Sequence, residues 1–588
     1  MPRSTKFTNT EKRKQWPKTG EEIPQPDQDE TFAQSTARYM SDSMVKLVFS
    51  HASQEFLPKG ALKKVTDKAV IERVVSEDQD FCRHIQDLAG FVRKVHDEAA
   101  KLFAICLYSI IQRPLEFLRD LLEANLTDAR LPLARKDCPN FKRSRELEVQ
   151  FLSNQKKFIV TYFDLAQHQD LDYNASMPVE YIKEYQLGKG AYGKVYEVRI
   201  HPDQHGFPKT KDGDVFAMKV CQQNAFATKN SPAVDALREQ REPLFFKETK
   251  RLTHPHLVKC LASWTFDAEL YMIFELADWN LWEFMQLHSP DEPENGITFQ
   301  WLLKEVKGMS EALRRVHCLD IPSFKDALAP PDEKQKTAYH HDIKHQNILV
   351  FGRTLRLADF GCSRVAEMAF TQSGKQHSHQ TDAIMGTPTT AAPEGKGGGR
   401  TSRPYDLWSF GTVILELIVW FLEGFNALQA FQDKRSYKSH PGARFEDDGF
   451  YVEDKEGKAR LRDPVQQKII DLARLPRCTG HLLALLDLVP RLLKIDARAR
   501  MDAAELENRL TRLCSCFESE LTEQDTSEIT LFVASYGSNT QQSALTPAPP
   551  DGNMGHNSAN PSQPSTRPSL PSIQIWESLN QNHVQGFN

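Results

Sequence analysis

The sequence has little of what would carry a chain out of the cell or into a membrane. Its opening stretch, MPRSTKFTNTEKRKQWPK, holds no apolar core of the length a secretory signal requires. No apolar run reaches the ~18 residues of a membrane span. The two longest, 102–111 and 412–422, fall short, and Glu416 interrupts the second. Buried helices account for both, so no membrane span is expected. The 10 cysteines are scattered from Cys82 to Cys516, and only Cys514 and Cys516 are near neighbours, which argues against a metal knuckle or a redox CxxC pair. They read as thiols of a reducing compartment. Charge of one sign is lacking too: 74 Lys plus Arg against 79 Asp plus Glu leave −5 over 588 residues. With no basic aromatic platform either, nothing draws the chain to nucleic acid. An internal repeat is also missing, which disfavours a solenoid. An intracellular, cytoplasmic protein is expected, with Lys12-Arg13-Lys14 as a candidate nuclear import signal of a kind common on solvated chain ends.

What is present divides the chain. Residues 1–30 hold Pro, Lys, Glu, Gln and Asp with few large apolar side chains, so they cannot offset the entropy of ordering and should be disordered. Over 31–175 the pattern turns helical. Phe81, Ile85, Leu88, Val92, Val95, Ala99 and Leu102 recur at spacings of three and four and mark one apolar face. Pro114 breaks that pattern and opens a further helix through Leu115, Leu118 and Leu121. A helical domain of unassigned role is predicted. Over 181–276 short β-rich runs at 194–200, 215–220 and 270–274 alternate with Gly, Pro and Asp turns and predict a sheet. Over 277–515 the stripe Leu302, Val306, Met309, Leu313 and Val316, the apolar segment after Asp406 and a group from His481 to Leu513 predict a mostly helical body. Residues 520–588, rich in Ser, Thr, Asn, Gln and Pro, read as a disordered tail.

The chemistry lies in 181–515. Leu187-Gly188-Lys189-Gly190-Ala191-Tyr192-Gly193-Lys194-Val195 lies between two predicted strands, and its glycines allow backbone amides to approach a polyphosphate. Such a run alone is more often an ordinary turn. Lys219 at the end of Val215-Phe216-Ala217-Met218-Lys219 would alone be a solvated charge. The specific signal is Tyr339-His340-His341-Asp342-Ile343-Lys344-His345-Gln346-Asn347-Ile348-Leu349, followed after a short strand by Asp359-Phe360-Gly361. A carboxylate and an amide five residues apart on a tight loop can face one site. A second carboxylate arriving from the next strand completes an oxygen set suited to a hard cation.

In this order the segments resemble the protein kinase family, serine/threonine type. The resemblance implies an α+β, two-lobed fold with a small β-rich lobe over 181–276 and a large helical lobe over 277–515, preceded by the helical domain. ATP and Mg²⁺ would be its cofactors and proteins its substrates; oligomeric state is not implied. Gly188, Gly190 and Gly193 would cover the phosphates and Lys219 clamp them, with Glu242 as its carboxylate partner. Pro243 is awkward in a helix, costing ~3 kcal/mol or more beyond the first turn, so Glu239 and Glu248 stay as alternatives. Leu187, Val195 and Ala217 would lie above the adenine and Leu349 below it. Phe274 would be the gatekeeper, and Glu275 to Ala277 the hinge. Asp342 would be the base or orienting group for the acceptor hydroxyl, and Asn347 and Asp359 would hold the metal. Lys344 and Thr387 match the serine/threonine pattern. Asp406 would brace the catalytic loop, and Arg500 would pair with Glu394.

Three residues depart from the family pattern. His341 stands where most kinases carry an Arg that grips an activation-loop phosphate. A neutral imidazole cannot replace a permanent charge, so activity independent of phosphorylation at Thr371, Ser373, Ser378 or Thr381 is expected. His345 replaces a proline and Thr390 a tyrosine, which bears on peptide docking. The segment from Cys318 to Ala338, with three prolines and many charges, should be an exposed insertion. Together with the leading helices and polar tail it resembles kinase-domain proteins of filamentous fungi. The rival reading is a pseudokinase-like signalling scaffold that binds nucleotide or partners without efficient transfer; the intact Lys219, Asp342, Asn347 and Asp359 oppose it.

Overall fold

A computed structural model describes residues 16, 22–49, 52–109, 112–137, 145–172, 174–190, 193–211, 213–222, 253–267, 269–318, 336–360, 364–367, 369–370, 376–377, 387–398, 403–436, 447–478 and 480–518. The expected disordered 1–30 lies largely outside these residues. So do the 520–588 tail, most of the insertion after Cys318, the basic run at 12–14 and the candidate phosphosites. The described residues form two compact units, one from the chain before residue 240 together with 259–276, the other from 240–258 and 277 onward.

The first unit begins with helices α1 (Phe32–Ser43), α2 (Lys59–Val65), α3 (Lys68–Glu77), α4 (Gln79–His84), α5 (Leu88–Glu98), α6 (Ala100–Ser109), α7 (Pro114–Glu123) and α8 (Arg145–Phe158). Their starts follow local chemistry. Thr31 and Gln34 form a capping box at α1, and Pro114 opens α7, where its missing N–H costs nothing. The apolar stripe from Phe81 to Leu102 is divided among α4, α5 and α6 rather than running as one helix. The carboxylates of Asp78 and Asp87 accept the N–H groups of Phe81 and Gly90 and start new helices there. Met40, Val75, Val95, Phe103, Leu118 and Phe151 are wholly buried in the shared core, each worth ~1.5–3 kcal/mol.

This region is not purely helical, as its spacing had suggested. Strands β1 (Val45–Phe49) and β2 (Ala52–Phe56) pair as an antiparallel hairpin. Val45, Leu47 and Phe49 are buried while Lys46 and Val48 point outward. That period-two alternation is the signal, and it is too short to stand out beside the helical spacing around it.

The same unit holds a six-stranded sheet. Its strands are β3 (Gln167–Asp170), β4 (Val179–Gly190), β5 (Gly193–Ile200), β6 (Val215–Gln222), β7 (Cys260–Phe266) and β8 (Glu269–Glu275), in the order β3-β7-β8-β6-β5-β4. β3, from the segment read as helical, pairs parallel to β7; the other neighbours are antiparallel. One face of the sheet, with Val198, Phe216, Met218, Val220, Tyr271 and Ile273, is buried against Phe49 and Phe56 of the hairpin and Phe163 and Met177 beyond it. The Phe49 ring lies 5.9 Å from Tyr181, 6.1 Å from Phe266 and 5.8 Å from Tyr271 and so spans three strands.

The second unit is built on helices α9 (Leu281–Leu287), α10 (Phe299–His317), α11 (Arg403–Glu423), α12 (Phe425–Arg435), α13 (Asp463–Ala473), α14 (Gly480–Leu492) and α15 (Ala503–Glu518). Strands β9 (Trp279–Asn280), β11 (Ile348–Phe351) and β12 (Thr354–Leu357) form a small antiparallel sheet, and β10 (Lys336–Tyr339) pairs with β13 (Arg364–Glu367). Among the described residues α11 is the one helix long and apolar enough to cross a membrane, but 94% of its apolar window is buried inside the protein. It is the core helix, with Trp408, Phe410, Ile414, Leu417 and Trp420 buried in the core of this unit and α12, α13 and α14 packed against it.

Candidate active site

In the second unit the loop 340–347 leaves β10 and enters β11 through a 3-10 turn, His345–Asn347. At its centre Asp342 is surrounded by donors. One carboxylate oxygen accepts the Thr387 N–H at 3.0 Å and the Thr387 hydroxyl at 2.9 Å. The other accepts Lys344 Nζ and Asn347 Nδ2, both at 2.8 Å. Lys344 Nζ also donates to Thr387 Oγ1 at 2.6 Å, so the cation bridges the Asp342 carboxylate and the Thr387 hydroxyl. These four residues, 45 positions apart at the extremes, form one constellation. Two donors on each oxygen fill the roughly four lone-pair positions of a carboxylate.

Asn347 spends its amide nitrogen on Asp342, on both the carboxylate and the main-chain carbonyl, each at 2.8 Å. Its amide oxygen is left for other partners. Its main-chain carbonyl accepts the N–H of Ala358 at 2.8 Å, which continues the β11–β12 ladder and sets Asp359 one residue beyond Asn347's partner. Asp359 holds a φ of 61° and His341 one of 64°, left-handed values that non-glycine residues adopt at a cost of ~1–3 kcal/mol where surroundings impose them.

The imposing groups are buried. Asp406 in α11 anchors the loop by accepting main-chain N–H groups. His340 Nε2 lies 2.9 Å from the carbonyl of Ala358, joining the loop to the Asp359 strand end. The His341 ring, 1% exposed, stacks on Tyr339 at 5.3 Å and meets Tyr405 edge-on at 5.6 Å. Burial would raise the Asp406 carboxyl, but the hydrogen bond from His317 and the neighbouring imidazoles outweigh it and hold it down to about 2. His317 was not singled out from the sequence; its signal is its place four residues after Leu313 on the buried stripe of α10. Arg500 grips Glu394 with two parallel bonds of 2.6 and 3.0 Å, the geometry that favours Arg over Lys. The apolar Leu349 is half-buried in β11, beside Asn280 of β9.

In the first unit Lys219 is buried in β6, opposite Val195 of β5 and Met272 of β8. Ala217 sits two residues earlier, opposite Phe274. Alternation puts Val195, Ala217, Lys219 and Phe274 on one face, opposite the face covered by the hairpin. The described part of the glycine run belongs to the paired ends of β4 and β5. Leu187, Gly188 and Gly190 end β4, and Gly188 pairs with Val195 and Gly190 with Gly193. A Cβ on Gly193 would strike the Val220 carbonyl, so this strand start admits only glycine without displacement. Glu275 ends β8, and Ala277 follows in coil, half-buried. Glu242, with Glu239 and Glu248, lies outside the described residues, as do Ala191, Tyr192 and Gly361.

Comparison with known proteins agrees with this geometry. Curated relatives include three from Arabidopsis thaliana. The proline-rich receptor-like protein kinase PERK2 is 31% identical over 171 residues, covering 29% of this chain and 20% of the relative. The probable serine/threonine-protein kinase CST is 28% identical over 235 residues, 40% of this chain and 47% of the relative. The L-type lectin-domain containing receptor kinase V.7 is 25% identical over 235 residues, 40% and 29%. The chain thus spans between about a fifth and a half of the length of these relatives. Residues 181–509, more than half of the chain, match the protein kinase domain, and the chain belongs to that family.

Proposed function

We propose that this protein transfers the γ-phosphoryl group of ATP to serine or threonine hydroxyls of protein substrates, acting inside the cell, and that it does so without a phosphorylated activation loop. The observation that carries the reading is the fourfold hydrogen-bonded Asp342 carboxylate. With its lone pairs filled by Thr387, Lys344 and Asn347, an incoming alcohol must take the place of one donor. The Thr387 hydroxyl is the natural one to exchange, because it offers the same chemistry. Lys344 then faces the developing charge on the transferring group. The names of the relatives support the serine/threonine class.

The donor set also fits Mg²⁺. An uncommitted amide oxygen on Asn347 and the carboxylate of Asp359 are hard oxygen ligands, and this ion takes one or two carboxylates with the rest of its shell from substrate phosphates and water. Bound there, it would neutralise charge on the β- and γ-phosphates. Lys219, buried with Val195 and Ala217 on the sheet face opposite the hairpin, is suited to holding the nucleotide. The burial of His341 between Tyr339 and Tyr405 supports independence from loop phosphorylation, since that imidazole is committed to packing.

The test is Asp342→Asn in the full chain. General-base loss removes on the order of 10² to 10⁴ in rate. Radiolabel transfer to a generic basic protein should therefore nearly vanish while ATP–Mg²⁺ binding by calorimetry persists. Transfer at the parent rate would refute the assignment. Phosphatase treatment of the parent protein should leave its rate unchanged.

A further inference from the structure

A buried ion pair behind the site has no part in the mechanism above. Arg435, with none of its side chain exposed, donates from Nη2 to Glu416 Oε1 at 2.6 Å. Its guanidinium lies 4.0 Å from the Phe450 ring centre and 4.4 Å from that of Phe431. Such a pair, closed off from water, is weak evidence for stability, since well-packed apolar residues usually do as well or better. Its links to the site give it another use.

On one side, the second oxygen of Glu416 packs 3.3 Å from Nε2 of buried His345, the first residue of the turn that carries Asn347, a close contact without hydrogen-bond geometry. On the other, Arg435 Nε donates to the main-chain carbonyl of Asp448 at 3.3 Å, and Arg462 Nη1 ties the carbonyls of Arg435 (2.6 Å) and Asp447 (3.1 Å) together. The Asp448 carboxylate accepts the Thr389 hydroxyl at 2.6 Å. Thr389 sits in the turn Pro388–Thr390, directly after Thr387, which bonds Asp342. The chain of contacts therefore closes: Asp342, Thr387, Thr389, Asp448, Arg435, Glu416, His345 and back along the loop.

Resting on the phosphoryl-transfer reading, we propose that Arg435 and Glu416 are positioning residues whose permanent internal charge orders the turn Pro388–Thr390 against the catalytic turn, the ordering that a loop phosphate would otherwise supply. Asp406 holds the start of the catalytic loop and Glu416 reaches its end. Ten residues of helix between them span roughly 15 Å. Asp406 thus bonds the start of the loop while Glu416 packs against its end, and through Arg435 Glu416 is tied to the segment where a peptide substrate would dock.

The experiment compares the full-length parent, Arg435→Met and the double variant Glu416→Gln/Arg435→Met, all phosphatase-treated, by amide hydrogen exchange, thermal melting and peptide kinetics. Exchange within 387–395 should speed up about tenfold in Arg435→Met, and the peptide KM should rise about tenfold with the ATP KM nearly unchanged. The double variant leaves no lone buried charge and should regain melting temperature, yet keep the fast exchange and the raised peptide KM. If its exchange and KM recover along with stability, the pair is only structural and the proposal falls. Unchanged exchange in both variants overturns it as well. Should Arg435→Met not fold, Thr389→Val, which removes only the half-buried outer link, must still quicken exchange in this turn, and its failure to do so refutes the circuit. Faster exchange in a protein that transfers no phosphate would uphold the circuit and remove the transfer reading instead.

Discussion

Asp406 accepts the main-chain N–H of His341 at 2.7 Å on one oxygen, and on the other the N–H of His340 at 2.8 Å with His317 Nε2 at 2.9 Å. One buried carboxylate thereby fixes two consecutive peptides of the loop 340–347 and the end of α10. Its folded pKa is depressed from 3.8 to about 2, so the stability it contributes is present above ~3.8 and lost as pH falls through ~2, on the order of 2 kcal/mol. Asp406→Asn presents an NH₂ to a main-chain N–H. It should cost ~3 kcal/mol at neutral pH and flatten the acid limb below pH 4, read by urea unfolding across pH. An equally steep acid limb in the variant would clear Asp406 of this role.

Glu305 carries the opposite sign. It is buried in α10, accepts the Leu355 N–H at 2.8 Å and lies 3.5 Å from His256 Nδ1. Burial raises its carboxyl from 4.5 to about 7. A raised folded pKa stabilises below the unfolded value of about 4.5, and that contribution fades as pH climbs through about 7, roughly 3 kcal/mol in all. Glu305→Gln keeps the acceptor for Leu355 without the charge. The variant should be more stable than the parent at pH 8 and match it near pH 5; equal unfolding midpoints at both pH values would contradict the assignment.

Gly308 lies within α10, where alanine ordinarily gains ~1 kcal/mol. Here an added Cβ would enter the imidazole of His256. That ring is held by the Leu355 carbonyl at 2.8 Å and cannot swing aside freely. Gly308→Ala should therefore destabilise by ~1–3 kcal/mol, the usual cost of overpacking. A rise in denaturation midpoint would mean the ring relocates.

Phe49 should behave as part of the sheet that carries Lys219, although it lies far upstream of the kinase-matched residues. Phe49→Ala is expected to cost ~3–5 kcal/mol. A chain starting at residue 181 would lose Val45, Leu47, Phe49, Phe56, Phe163 and Met177 from one face of the sheet. Exposing that apolar surface should make it aggregate on size-exclusion chromatography where the full chain does not. A monodisperse, cooperatively melting fragment would show that the hairpin is dispensable.

Much of the site was legible because its chemistry is written in contiguous residues. Asp342, Lys344 and Asn347 lie within one loop, and short-range geometry alone makes them neighbours. Helix α10 declared itself through the stripe from Leu302 to Val316, and β5 and β6 through short β-rich runs ended by turns. The hairpin 45–56 was hidden because two five-residue strands offer too few alternations to outweigh flanking helical spacing. The division of the 81–102 stripe needed Asp78 and Asp87 to be recognised as caps, and an Asp in a helical stretch carries no such mark until its carboxylate meets the next turn's amides.

By itself, the order of residues determined the family and the gathering of Asp342, Lys344 and Asn347 in one loop, because these depend on side-chain type and local spacing along the backbone. Only the tertiary structure decided that Glu416 would find Arg435, that His317 would reach Asp406, and that a hairpin near the start of the chain would roof the sheet of Lys219. Those pairings join segments 19 to 89 residues apart, and farther for the hairpin. Burial selects such partners: a charge or an apolar face removed from water must be matched by whatever the completed fold brings beside it.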